Sequence, residues 1–171
     1  IRETLHILKQ IFPKTIILNF DLDPAIPILQ GDYNQLQQAF INICLNARDA
    51  MPEGGRLSIS TSPRLTPEFR RRFPEASGDY IHIDVSDNGL GMDDQTRERA
   101  FEPFFTTKRD GGTGLGFSVV YGIVQTHRGF FDLERSKDRG TTVKIFLPIP
   151  AQADISLESQ KNGRQEGLSF G

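Results

Sequence analysis

The chain has 171 residues, 20 basic and 22 acidic side chains, a formal net charge of −2, and 37% hydrophobic and 25% charged residues. That length supports one domain with a sizeable core and a tail, and the charge balance excludes nucleic-acid binding driven by a basic surface. A lone Cys44 excludes an internal disulfide and a cysteine-based zinc site, and it fits a reducing, cytoplasmic compartment. Apolar runs such as Ile16-Ile17-Leu18 are too short to span a bilayer. The opening Ile1-Arg2-Glu3-Thr4 is not a signal peptide, and without Met it predicts a piece of a longer protein.

In chain order, residues 3–11 predict a short helix stopped by Pro13, and residues 15–20 a strand. Asp32 with Gln35 three residues on is a capping-box pattern, so a long helix is expected over 34–51, ended by Met51-Pro52-Glu53-Gly54-Gly55. Residues 56–61 and 80–86 alternate apolar and polar side chains as half-buried strands do. Between them, residues 62–78 hold Pro63, Pro67, Pro74 and an Arg70-Arg71-Arg72 run, and predict a solvated excursion. A short helix capped by Asp93 is expected over 93–100 and a Gly-rich loop over 103–113. A buried helix is expected over 115–127, and a closing pair of strands over 129–134 and 141–147. Residues 151–171 are polar and aperiodic, which predicts a linker or disordered tail. The expected architecture is a two-layer α/β sandwich, with a mixed, largely antiparallel sheet of about five strands covered on one face by helices.

Three constellations carry chemistry. On a helical wheel of about 100° per residue, Asn42, Asn46 and Asp49 form a polar stripe roughly 115° from the apolar stripe of Leu36, Ala39, Phe40, Ile43 and Ala47. Ile41 and Leu45 take the side opposite the core, so the polar stripe predicts the edge of a cavity. An amide oxygen there suits a hard cation such as Mg²⁺. Taken alone, the stripe is more plainly read as Asn residues that cap loops or bond neighbouring backbone.

The second constellation is Asp87-Asn88-Gly89-Leu90-Gly91-Met92, at a strand end. A carboxylate there can accept from the exocyclic amine of adenine, while guanine presents an oxygen and is repelled. Gly89 and Gly91 permit close approach to a flat base and positive φ. The plain alternative is a chain-reversing turn.

The third is Gly111-Gly112-Thr113-Gly114-Leu115-Gly116, opening a helix whose amides and dipole attract phosphate. No Gly-Lys-Ser/Thr follows, so it is not a Walker loop, and its GxGxG spacing is not a dinucleotide fingerprint. A flexible hinge is the plain alternative. Just before it, FEPFFTTK (residues 101–108) offers aromatic anchors, hydroxyls and a cation, the composition of a lid over a nucleotide.

In this order and spacing, the pieces resemble the ATP-binding catalytic domain of bacterial sensor histidine kinases, among the Bergerat-fold ATPases shared with gyrase, Hsp90 and MutL. The match covers residues 15–148. NICLNARDA (42–50) is similar to the N box, 87–92 to the first glycine box, 101–108 to the F box and GTGLG (112–116) to the second glycine box. FEPFFTTK followed by GTGLGFSVVYGIVQTHRG is in the style of the nitrogen-regulator subgroup.

The resemblance implies ATP and Mg²⁺ as cofactors, with Asn46 as metal ligand and Asn42 beside the triphosphate. It implies Asp87 on the adenine amine, a base pocket shaped by Gly89, Gly91 and Met92, and Asp49 at the nucleotide. Thr107, Lys108, Thr113, Gly114, Leu115 and Gly116 would face the phosphates, with Lys108 joining Asn42 and Asn46 in catalysis. Position 42 is Asn where gyrase-type ATPases place a water-activating Glu, so transfer to an acceptor is expected ahead of hydrolysis.

The family keeps the acceptor histidine, followed by Asp or Glu, on a separate dimerisation domain. His6, His82 and His127 lack that neighbour and read as structural or surface groups. Residues 1–14 are then the connection from upstream dimerisation helices and 15–150 the catalytic domain. The implied partners are that dimerisation domain and a response-regulator receiver domain, within a homodimeric parent that can be membrane-anchored, and not nucleic acid. An anti-sigma-factor serine kinase and a non-catalytic nucleotide-binding module of the same fold are the competing readings. Cys44 is expected in the core.

Overall fold

The computed structural model describes residues 2–102, 105, 116–135 and 140–150. The first helix, α1 (Arg2–Ile11), turns Leu5, Leu8 and Thr4 inward and leaves Ile7 and Ile11 about two-fifths exposed. It leads through Phe12, also buried, into β1 (Ile16–Leu22). The long helix α2 (Tyr33–Asp49) starts where the capping pattern puts it, with the Asp32 carboxylate accepting from the Gln35 amide at 3.0 Å. The box is only half made, because the Asp32 amide goes elsewhere, to the ring of His127. Ala50 caps the far end, two residues before Pro52.

Strand β2 (Gly55–Ser62) then lies parallel to β1, with Ile16 opposite Gly55, a pairing that needs a crossover and receives α2 as one. Next come α3 (Pro67–Arg72), β3 (Tyr80–Asp87), α4 (Asp94–Arg99, capped by Asp93) and α5 (Gly116–Thr126). The chain closes with β4 (Phe130–Arg135) and β5 (Thr141–Pro148). The sheet order is β1-β2-β3-β5-β4, and every pair after the first is antiparallel.

Alternation decides which face is which. Leu57 and Ile59 of β2, Ile81, Ile83 and Val85 of β3, and Val143 and Ile145 of β5 all bury on the side covered by α1, α2 and α5. Cys44 is fully buried in that core as expected, and burial pushes its thiol up to about 12. The opposite face is polar towards the Asp87 end of β3, where the Ser86 and Thr142 hydroxyls meet at 2.9 Å.

One stretch departs from the expected pattern. Residues 62–78 are not solvated throughout: Thr66 caps α3, and Phe69, 2% exposed, starts a second small core with Tyr80 and Phe146 on the outer face of the sheet. Phe69 and Phe146 ring centroids are 4.4 Å apart. The Arg70–Arg72 run does serve solvent and backbone. Arg70 donates to the carbonyls of Ala76 and Gly78, Arg71 pairs with Glu68, and Arg72 with Asp132. Proline and arginine density masked the apolar spacing of Phe69 and Phe73. The expectations for 1, 103–104, 106–115, 136–139 and the 151–171 tail lie outside the described residues.

Candidate functional site

A cavity of about 450 Å³ opens between α2, the segment after β3, α4 and the N-terminus of α5. Asn42, Asn46 and Asp49 line one wall, so the polar stripe of α2 does flank the core at a cavity edge. The stripe can sit there because Ile43 and Ala47, one residue on from Asn42 and Asn46, fix the rotation of α2 by burying against the sheet.

Asp87 forms the floor. It is the last residue of β3 and only 5% exposed, which makes it a buried carboxylate. Its Oδ1 accepts two backbone amides, from Gly89 at 2.8 Å and from Thr141 of β5 at 3.3 Å. Burial raises its pKa above the ordinary 3.8, and the amide bonds pull against that rise. The carboxylate is thus locked by Oδ1 and held in a cavity that admits a ligand.

The glycines divide their work. Gly91 lies at φ 71°, the left-handed region, and lines the cavity beside Met92. Gly89 does not line it. A side chain at Gly89 would strike the Ala50 carbonyl, and the adjacent Leu90 amide donates to that same carbonyl at 2.9 Å. Gly89 therefore shapes the pocket from behind, by docking the loop on the end of α2 and donating to Asp87. Asn88 also turns away, its Oδ1 accepting the Arg56 amide at 2.7 Å.

Gly116 begins α5 directly against Asn46, where an added Cβ would stand 2.7 Å from Nδ2 and 3.2 Å from Oδ1. The helix N-terminus and the Asn46 amide are thereby brought together. Thr107, Lys108, Thr113, Gly114 and Leu115 lie outside the described residues. Of the aromatic segment, Phe105 reaches the cavity wall and carries Arg99 over its ring at 4.3 Å, while Phe101 packs edge-on against Phe131.

Arg48 is not at the wall; it holds Asp49 Oδ1 at 2.9 Å, a half-exposed pair at the rim. None of the three histidines lines the cavity. His6 is exposed on α1, His82 stacks on Phe146 on the outer face, and His127 joins α5 to the start of α2. Thr141 and Val143 of β5 complete the floor beside Val85, and sequence reading missed them. The pairing of Val85 with Val143 is a register fact with no local signal.

The comparisons with known proteins agree on one family. Residues 31–151 match the family described as "Histidine kinase-, DNA gyrase B-, and HSP90-like ATPase". The chain belongs to this family. Among curated relatives, the sensor kinase CckA of Brucella abortus is 41% identical over 83% of the chain and 15% of its own length. Sporulation kinase E of Bacillus subtilis is 34% identical over 90% of the chain and 19% of its length. The sensory histidine kinase/phosphatase NtrB of Azospirillum brasilense is 39% identical over 78% of the chain and 34% of its length. The chain thus spans about a sixth to a third of these relatives. The solved catalytic domain of histidine kinase ThkA superposes with a TM-score of 0.70 at 26% identity, over 86% of this chain and 90% of that one. The five-stranded mixed sheet with its helical layer is therefore that of histidine kinase catalytic domains. Within this ATPase family, the chain is homologous to the ATP-binding domain of sensor kinases. Among the described residues, no helix is long and apolar enough to cross a membrane.

Proposed function

We propose that this domain binds ATP with Mg²⁺ and donates the γ-phosphoryl group to a histidine on a separate dimerisation domain of its parent protein. The observation that carries the reading is the meeting of Asp87, locked through Oδ1, and Asn46, set against the first residue of α5, on one cavity. Asp87 accepts the exocyclic amine of adenine and repels the guanine oxygen. Gly91 and Met92 shape the base pocket. Asn42, Asn46 and Asp49 lie towards the triphosphate, with the α5 N-terminus supplying amides.

The donor set fits a hard cation. The Asn46 amide oxygen is a suitable ligand, and the absence of a side chain at Gly116 leaves its head group room. Mg²⁺ would supply charge neutralisation for the phosphates. The domain's own residues hold and orient the nucleotide, so that an incoming imidazole nitrogen bonds the γ-phosphorus in line as the bond to the β-phosphate oxygen breaks and ADP leaves. Lys108, Thr107 and the 113–115 segment join the phosphate side by resemblance alone. His6, His82 and His127 stay bystanders. The receptor of the phosphoryl group downstream is a response-regulator receiver domain. The parent is a homodimer of the nitrogen-regulator-like subgroup, with this domain in the cytoplasm.

Incubation with γ-labelled ATP tests the proposal. The chain alone should take up no stoichiometric acid-labile label, while adding the parent's dimerisation domain should yield an acid-labile, base-stable phosphohistidine there. Label on His6, His82 or His127, or a hydroxyl-linked acid-stable phosphate on an added protein, overturns it.

A further inference from the structure

Gly140 is buried at the start of β5, far from Asp87 in sequence and pressed against it in space. A Cβ placed on Gly140 would stand 2.5 Å from both the Asp87 carbonyl carbon and Asp87 Oδ1, and closer still to the Asp87 carbonyl oxygen. Two of those atoms are backbone, and no rotamer change can move them aside. The space beside Asp87 therefore requires glycine at this position. The close approach has a consequence at the next residue: the Thr141 amide reaches Asp87 Oδ1, the second of the two donors that orient the carboxylate.

We propose that Gly140 is a positioning residue for adenine recognition: by letting β5 close on the end of β3, it delivers the Thr141 amide to Asp87 Oδ1 and so aims the carboxylate at the base. The inference rests on the reading of Asp87 given above. A side chain at position 140 pushes the strand start away from Asp87. It removes one of the two anchoring bonds and frees the carboxylate to turn, while Asn46 and the phosphate side are untouched. The loss therefore falls on base selectivity and not on nucleotide binding in general.

The test compares ATP and GTP affinities by calorimetry for the wild-type chain, Gly140→Ala, Asp87→Asn and Gly129→Ala. Gly129 is the control for a crowded glycine, because an added Cβ there would meet the Phe146 carbonyl at 2.5 Å and the Val124 side chain at 2.9 Å. Expected is a fall of about tenfold or more in the ATP-over-GTP ratio for Gly140→Ala, the scale of one lost oriented hydrogen bond to a charged group. Gly129→Ala should lower the melting temperature and keep the ratio. If Asp87→Asn keeps the wild-type ratio, the reading of Asp87 itself is wrong. If Asp87→Asn loses the ratio and Gly140→Ala keeps it, the role of Gly140 is refuted, as it is if Gly129→Ala loses the ratio equally. Should Gly140→Ala not fold, the wild-type chain carries the test: the Thr141 amide proton must shift in NMR as the Asp87 carboxyl titrates, and an unmoved Thr141 resonance refutes the proposal.

Discussion

The imidazole of His127 accepts the backbone amide of Asp32 at Nε2 over 2.9 Å, although 95 positions separate them. Its Nδ1 lies 2.8 Å from the Ile123 carbonyl, which can only accept, so Nδ1 carries the proton and Nε2 is free to take the Asp32 N–H. Gly31 makes room for the ring, since a Cβ there would stand 2.7 Å from His127 Cδ2. One side chain thus ties the last turn of α5 to the first turn of α2, at the ends remote from the cavity. His127→Ala removes both bonds and leaves a helix-start amide without its protein partner. The expected loss is about 1–3 kcal/mol of unfolding free energy, read as a lower urea midpoint at unchanged slope. A midpoint equal to wild type would show that water replaces the ring at no cost.

Asp87 separates binding from stability. Burial raises its pKa, so ionising it costs folding free energy. The group's contribution is most favourable below 3.8 and is lost as pH rises through its folded value. Asp87→Asn keeps an oxygen to accept the Gly89 and Thr141 amides and removes the buried charge. The variant should melt no lower than wild type at neutral pH while losing most of its ATP affinity. Wild-type ATP affinity should itself fall as pH drops through the raised Asp87 value, because a protonated carboxyl is a poorer acceptor. A variant that unfolds and loses ATP together would mean that the carboxylate is structural.

Asn46 carries the metal expectation. With Asn46→Ala, the part of ATP affinity that depends on added Mg²⁺ should disappear, while the affinity measured in chelator stays near wild type. Titrations at both conditions read the difference directly. Mg²⁺ strengthening ATP binding equally in the variant would place the metal on phosphate and water alone.

Cys44, with its thiol pushed up to about 12 by burial, should be inert to maleimide at pH 8 in the native chain. Modification should follow unfolding in denaturant, one thiol per chain. Fast native labelling would require α2 to open far more often than its buried face allows.

Phe69→Ala empties the small core under α3, where Phe69 meets Phe73, Tyr80, Phe130 and Phe146. A cost of about 3–5 kcal/mol is expected from large-to-small truncation at such a site. The cluster lies on the outer face of the sheet, so ATP affinity of the folded protein should not move. A shift in ATP affinity without a loss of stability would show coupling through β3.

The local chemistry of this protein was written in its sequence. Alternation placed β2 and β3 to within a residue or two, since a half-buried strand must expose every second side chain. The Asp32 and Asp93 caps marked two helix starts, since the first amides of a helix need acceptors nearby in the chain. The Asn42, Asn46 and Asp49 stripe marked a cavity edge, because helix periodicity alone fixes its angle to the core. What the sequence left open was everything decided by chain segments far apart. The pairing of β3 with β5 puts Thr141 and Gly140 against Asp87, and no local pattern announces which strand will lie beside which. The second acceptor of the capping box, the Gln35 side chain, was displaced by His127 for the same reason. Phe69 could look solvated in its arginine-rich surroundings because its partners, Tyr80, Phe130 and Phe146, come from three different strands. Side-chain periodicity is a property of one element, whereas register and face-to-face contact are set only when the elements pack, and the orientation of the Asp87 carboxylate belongs to the second kind.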